Sequence, residues 1–380
     1  MKNGMNKHEE FAFELLRSLF WNEPVTCSED FDDWNPLVAF SKRQSVLGFI
    51  AKSILSNNEI NPRISAEVRL KLKSFLVSNV MTYDKMTGVL IKVSKALSES
   101  EISHVLLKGH GLAVNYPYPQ LRQCGDIDLY VGKENSLATY RTLAGVVDRI
   151  ATESEALWGK HYDAFVDDIQ IEVHRHTSSH DTRKFAEIYS EIAQKGLNED
   201  LKPVRFDGVE VMTPSVTFNA YYVFDHLFEH FLTSGIGLRH LCDLMMFLHV
   251  HKDTIDKDYL KILLDRMEML EPWQVFGDIL VKYLGLPNDE FPFYVESTKT
   301  DKVLKYILFD GNFGKSTVYY TRRSDNYLLT KLNAFWCHLT RGAKMMRLFP
   351  SQEIRHFRHV VQNYFLHLRK DLKRKLIHGR

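Results

Sequence analysis

Asp126-Ile127-Asp128 sets two carboxylates two positions apart behind Gly125, with Ile127, Leu129 and Val131 in the alternate positions. In a β-strand this spacing turns both acids to one face and the apolar residues to the other. The triplet alone carries little, because 48 acids in 380 residues give roughly six acid-x-acid triplets by chance. Asp30/Asp32 and Asp256/Asp258 read as such accidents. Two carboxylates side by side repel unless a cation lies between them, and an oxygen-only ligand set suits Mg²⁺ or Mn²⁺. A third acid is available in Ile169-Gln170-Ile171-Glu172-Val173-His174, where Gln170, Glu172 and His174 share the face opposite the apolar residues.

Three carboxylates on adjacent strands can hold two metal ions, one activating a hydroxyl and the other bridging the phosphates of a nucleotide in an in-line displacement. Such chemistry depends mainly on positioning and charge neutralisation. The turn Lys108-Gly109-His110-Gly111 follows an apolar run and opens a helical pattern, a place where backbone N–H groups and the helix dipole favour an anion. Lys108 adds a positive charge there. Arg122, on the approach to Asp126, suits either a phosphate fork or a carboxylate partner.

These residues need elements to hold them. Val105–Leu107 reads as a short buried strand, Asp126–Val131 as a second, and Asn135–Ile150 as a helix. His161–Val166 and Ile169–His174 are β-rich runs around Asp167-Asp168, which predicts an antiparallel hairpin and hence a mixed sheet. Residues before about 78 have helical spacing (Phe11, Leu15, Leu16, Leu19), as do the aromatic and histidine-rich segments beyond about 215. The expectation is an α+β chain in three parts: a helical region over 1–78, a catalytic core with a mixed β-sheet over 79–210, and a helical domain with a basic tail over 211–380. The last forty residues hold eleven Lys/Arg against two acids; a solvated helix face is the ordinary reading of such a run, and contact with nucleic-acid phosphates or an acidic membrane the other.

Composition excludes other classes. With 44% hydrophobic residues, 26% charged residues, 19 Gly and 11 Pro, disordered and collagen-like readings fail. Forty-nine basic side chains nearly cancel 48 acidic ones, so whole-chain charge gives no argument for nucleic acid or membrane. Cys27, Cys124, Cys242 and Cys337 are widely spaced with no CxxC pair, which favours a reducing compartment. Glu9 and Glu10 interrupt the place of a signal peptide, and no apolar run approaches the ~18 residues of a spanning helix. The expectation is a cytoplasmic protein with no transmembrane segment.

The run LLKGHGLAVNYPYPQLRQCGDIDLYV, followed by IQIEVH, resembles the uncharacterised bacterial nucleotidyltransferase family of the DNA polymerase β-like superfamily. That signature combines Lys-Gly, Tyr-Pro-x-Pro, Arg, Asp-Ile-Asp and a later Glu-x-His. Here it falls on Lys108, Gly109, Tyr116, Pro117, Pro119, Arg122, Asp126, Asp128, Glu172 and His174. Weaker similarity continues through GIGLRHLCDL (Gly237, Arg239, Asp243) and GNFG (311–314). The resemblance implies a nucleotidyltransferase fold and two divalent metals. It also implies transfer of a nucleoside monophosphate from an NTP to an acceptor, with pyrophosphate released. Asp126, Asp128 and Glu172 would be the catalytic metal ligands, and Lys108, Gly109, Arg122, Gly125 and His174 the substrate contacts. The acceptor is left open among a small molecule, a sugar phosphate, a protein and RNA. The superfamily's usual Gly-Gly or Gly-Ser pair is here Gly109-His110, and this departure motivates an alternative, a nucleotide- or partner-binding module that transfers nothing.

Histidines supply a third reading, a metallohydrolase. His174, His176 and His180 lie close in sequence, and His226 and His230 are spaced for one helical face. No His-Glu-x-x-His occurs and 17 histidines make such pairs common by chance, so zinc is disfavoured. Arg239 and Asp243 have the spacing of a helix-face ion pair, and the other reading turns Arg239 to the cleft.

Overall fold

The computed structural model describes residues 4–177, 183–312, 336 and 339–358. Its sheet is built from β1 (Val105–Leu106), β2 (Asp126–Tyr130), β3 (Arg149–Ile150), β4 (His161–Val166) and β5 (Ile169–His174), in the order β1-β2-β5-β4-β3. β2 and β5 run parallel, with Asp128 beside Glu172 and Tyr130 beside His174, while the other pairings are antiparallel. This is the mixed sheet that the alternation predicts. The β4–β5 turn is where Asp167-Asp168 puts it, and Asp167 takes a left-handed φ of 51°, a conformation Asp tolerates better than most residues.

One sheet face is apolar throughout. Ile127, Leu129, Ile171, Val173, Tyr162 and Ala164 are buried against Leu90, Val93 and Leu97 of the long helix below and Leu143 of the crossover helix. Period two then leaves Asp126, Asp128, Glu172 and His174 on the other face. That crossover runs through α6 (Gly132–Ala144), β3 and α7 (Glu153–Trp158). The expected helix to Ile150 stops at Ala144, because Gly145 and the β-branched Val146-Val147 favour leaving the helix and the chain instead pairs at the sheet edge, Asp148 N–H donating to Phe165 C=O at 2.8 Å.

A second hairpin, β6 (Lys202–Phe206) and β7 (Val209–Thr213), adds Phe206 and Val211 to the sheet's core. Its Asp207-Gly208 turn has φ of 46° and 83°, the two-residue geometry that matches the twist of the flanking strands. Asp-Gly between alternating residues is a hairpin signal in the sequence that the reading above does not use.

The helices α1 (Lys7–Trp21), α2 (Trp34–Arg43), α3 (Leu47–Ser56) and α4 (Ala66–Glu99) precede the sheet; α5 (Lys108–Ala113) joins β1 to the approach loop of β2, and α8 (Arg183–Gly196) follows β5. Then come α9 (Val216–Thr233), α10 (Leu238–His251), α11 (Lys257–Arg266), α12 (Leu270–Leu284) and α13 (Thr300–Asp310). Ser65 caps α4, its Oγ accepting from Val68 N–H at 3.2 Å. The helix then runs unbroken through residues 78 and 79, with Val68 and Leu72 in the helical core and Met86 to Leu97 under the sheet. The boundary read at 78/79 thus falls inside an element, because a change in what the helix packs against alters its apolar pattern without ending it.

Helices from both ends of the chain share a core, in which Phe13, Leu16, Phe40 and Phe49 join Phe224, Phe228, Phe231, Trp273 and Phe276. α9 is buried on almost every side, as a central helix is. Arg17 Nη1 and Trp21 Nε1 donate to the C=O groups of Tyr283 and Leu284, at 2.9 and 2.6 Å, tying α1 to the end of α12.

Residues 359–380, with most of the basic run, lie outside the described residues, as do His180, Cys337 and GNFG from 313 onward. Cys27, Cys124 and Cys242 are free thiols. Among the described residues no helix is long and apolar enough to cross a membrane.

Candidate active site

Asp126, Asp128 and Glu172 come together as strand alternation and the β2–β5 register require: one oxygen of each lies within 4.8 Å of the other two. Asp128 is the inner member, its side chain fully buried, while Glu172 keeps 21% of its side-chain surface. Asp128 Oδ1 accepts from His174 Nε2 at 2.8 Å and lies 3.3 Å from Lys108 Nζ. Asp128 Oδ2 is buried with no hydrogen-bond partner, an unusual state for a carboxylate oxygen.

Electrostatics separate the two aspartates. Burial and the neighbouring Asp128 charge push Asp126 up to about 6. Burial also acts against Asp128, but Lys108 and the His174 hydrogen bond overrule it and hold Asp128 well below the usual carboxylate range. The His174 hydrogen bond lowers Glu172 too. Burial disfavours charge on Lys108 and His174, yet the carboxylates raise both, so the acids and their cations stabilise one another.

Lys108 stands where β1 ends, anchored by Leu107 N–H donating to Asp128 C=O at 2.9 Å. Its ammonium also donates to His226 Nε2 of α9 at 3.0 Å. His230 Nε2 lies 3.1 Å from the same atom of His226. Burial first, then the Lys108 charge, drives the pKa of His226 well below the usual imidazole value and that of His230 to about 4, which keeps both rings neutral. The pair noted as helically spaced therefore faces the carboxylates and holds a lysine.

Gly109 has φ 49° and ψ −115°, open to glycine and strained for any other residue. A Cβ there would lie 3.5 Å from Asp128 Oδ2 and from Asp126 C=O, so the missing side chain keeps the carboxylates uncovered. α5 has only six residues and is kinked at Gly109, too short for the dipole expected from the sequence; any backbone donors for an anion come from the turn itself. His110 points elsewhere. It is buried, with Nε2 2.9 Å from Thr87 Oγ1 and its ring stacked on Phe206, and burial lowers it to about 4.

A cavity of ≈ 250 Å³ opens over the cluster, bounded by Lys108, Gly109, Gly125, the three acids and residues of α9 and α10. Arg122 reaches it but is not free to grip a phosphate. Its Nε and Nη2 donate to Asp243 Oδ1 and Oδ2, both at 2.7 Å, and Tyr116 Oη donates to Oδ1 at 2.6 Å. Of its two sequence roles the geometry shows the carboxylate partner, with Arg122 still on the cavity wall. Asp243 is thereby turned away from the expected pairing along the helix, and Arg239 Nη1 donates to Gln123 C=O at 2.8 Å while lining the cavity. His226 and His230 are cavity residues that the sequence reading did not assign to the site, whereas Arg239 takes the second of its two readings and faces the cleft. Their signal was present as polar groups on apolar helices, but only the fold shows which way they face.

A family model described as an uncharacterised nucleotidyltransferase matches residues 30–284, a span that holds the whole cluster. No curated protein matches. Among solved structures the chain is similar to an antigenic nucleotidyltransferase-like protein from Paracoccidioides brasiliensis, at 12% identity over 53% of this chain and 93% of that one, with a TM-score of 0.32. A likeness of that size carries no argument.

Proposed function

The chain belongs to the uncharacterised nucleotidyltransferase family, and from that premise we propose that it moves a nucleoside monophosphate from an NTP to a hydroxyl-bearing acceptor in a reaction that needs Mg²⁺ or Mn²⁺. The observation that carries this reading is the convergence of three carboxylates from two adjacent strands around a buried, unpartnered Asp128 Oδ2. Such a donor set fits a hard divalent cation, since it is all oxygen and one lone pair is already desolvated and uncommitted. Asp126, Asp128 and Glu172 would be its ligands. A bound cation would neutralise the phosphates and favour ionisation of the attacking hydroxyl.

The chain's own groups do the remaining work. Lys108 neutralises phosphate charge from the rim, held there by His226. Gly109 keeps the floor of the cavity free of a side chain, and Gly125 leaves the entry to β2 open. His174 fixes Asp128 by donating to Oδ1. The acceptor oxygen forms a bond to the α-phosphorus while the bond to the β-phosphate oxygen breaks. Pyrophosphate leaves with the electron pair, and the acceptor's proton passes to solvent through the carboxylates.

Isothermal titration with ATP, CTP, GTP and UTP in the presence of Mg²⁺, followed by a pyrophosphate-release assay with cell extract, tests the reading. Binding of at least one nucleotide and release dependent on extract are expected. Binding without release under any acceptor favours the module that transfers nothing.

A further inference from the structure

The carboxylate cluster has an outer side formed by two imidazoles. β4 and β5 are antiparallel, with His161 directly across from His174 and Asp163 across from Glu172. The alternation that turns Glu172 and His174 to the carboxylate face therefore turns His161 there as well. The two rings have centroids 5.4 Å apart. One ligand atom from each of His161, Glu172 and His174 lies within 4.8 Å of the other two.

These side chains are in different states. His174 keeps 6% of its side-chain surface; its Nε2 lies 2.8 Å from Asp128 Oδ1 and 3.4 Å from Glu172 Oε2, and its Nδ1 is buried without a hydrogen-bond partner. His161 is exposed at the start of β4. The buried ring thus has one nitrogen shared between Asp128 and Glu172, an uncommitted one, and a second, solvent-facing imidazole beside it.

We propose that His161, Glu172 and His174 form a binding site for a borderline first-row divalent ion of the Zn²⁺ class, distinct in ligand chemistry from the oxygen-only cluster next to it. Two imidazoles and a carboxylate suit Zn²⁺ or Co²⁺, whereas Mg²⁺ prefers oxygen throughout. Three protein ligands with one side open to solvent leave room for water or a substrate group. Glu172 is the shared residue, between the aspartate pair on β2 and the imidazole pair on β4 and β5.

The test uses the full chain and Co²⁺ as a spectroscopic probe, followed by titration with Zn²⁺. Wild-type protein is expected to bind Co²⁺ stoichiometrically, with visible ligand-field bands that Zn²⁺ removes. His161→Ala should weaken Co²⁺ binding on the order of tenfold or more, and His161→Asp, which returns a ligand oxygen, should recover part of it. Because His161 is exposed, loss of binding in a variant with an unchanged thermal melt is not a folding defect. Asp126→Asn should keep the bands. Wild-type protein without such bands, an unaltered spectrum and affinity in His161→Ala, or loss of the bands in Asp126→Asn overturns the proposal. The result is separable from nucleotide transfer: a chain that binds Co²⁺ through His161 and transfers nothing retains this site and defeats the reading above, and the reverse outcome does the opposite.

Discussion

Arg122 and Asp243, 121 positions apart in sequence, meet in a two-pronged ion pair with both contacts at 2.7 Å and side-chain exposures of 4% and 5%. The pair ties the loop that enters β2 to helix α10, and so joins the sheet that carries the acids to the helices that roof them. Burial penalises both charges, which makes removal of one partner costly to the other. Arg122→Met should destabilise the fold by about 3–5 kcal/mol, and Arg122→Lys should also destabilise it because a single ammonium cannot fill the fork. Urea unfolding measures both; an Arg122→Met variant as stable as wild type would show that the pair does not brace the loop.

Asp126 gives a pH dependence with a definite sign. Its carboxyl is raised from 3.8 to about 6 in the folded chain, so the fold binds that proton more tightly than the unfolded state does. Its contribution to stability is fully present below 3.8 and is lost as pH rises through about 6. Asp126→Asn cannot ionise, so the variant should gain on wild type by on the order of 1–3 kcal/mol between pH 4 and pH 7. Divalent-cation binding by wild type should strengthen over the same interval. Thermal melts across that range check the first statement, and a constant difference between the two proteins contradicts it.

Gly109→Ala combines strain with obstruction. The backbone at φ 49° and ψ −115° disfavours any side chain, and the new methyl would sit against Asp128 Oδ2. A loss of about 1–3 kcal/mol in stability is expected, accompanied by weaker Mn²⁺ binding. Mn²⁺ titration followed by electron paramagnetic resonance measures the second effect, and unchanged Mn²⁺ affinity would show that the glycine serves only the turn.

Lys108→Met removes the ammonium that helps keep Asp128 ionised and that faces the cavity. A charge-assisted contact of about 1.5–3 kcal/mol corresponds to roughly a 10- to 150-fold rise in the dissociation constant for the triphosphate. Nucleoside monophosphates, with less charge to neutralise, should lose less. Equal losses for the two ligands would place Lys108 in a purely structural role.

The local parts of this site were legible and the long-range parts were not. Asp126, Asp128, Glu172 and His174 could be put on one sheet face because a strand's two-residue period fixes side-chain direction without any knowledge of the fold. Arg122 shows the limit: the same guanidinium chemistry suits a phosphate or a carboxylate, and its partner Asp243 lies on a distant helix. His226 looked like half of a zinc site by helical spacing, yet what it faces is Lys108, set by how α9 crosses the sheet. The boundary read at residue 78 falls within α4 for a related reason, since a change of packing partner midway along a helix imitates the end of an element. The β6–β7 hairpin was readable from Asp207-Gly208 and its flanking alternation.

The most direct test incubates the protein with NTP labelled at the α-phosphate, Mg²⁺ and cell extract, and compares wild type with Asp128→Asn. The account predicts that label passes to an acceptor with pyrophosphate released in the wild type only, with both proteins folded. Equal transfer by the Asn variant would contradict it.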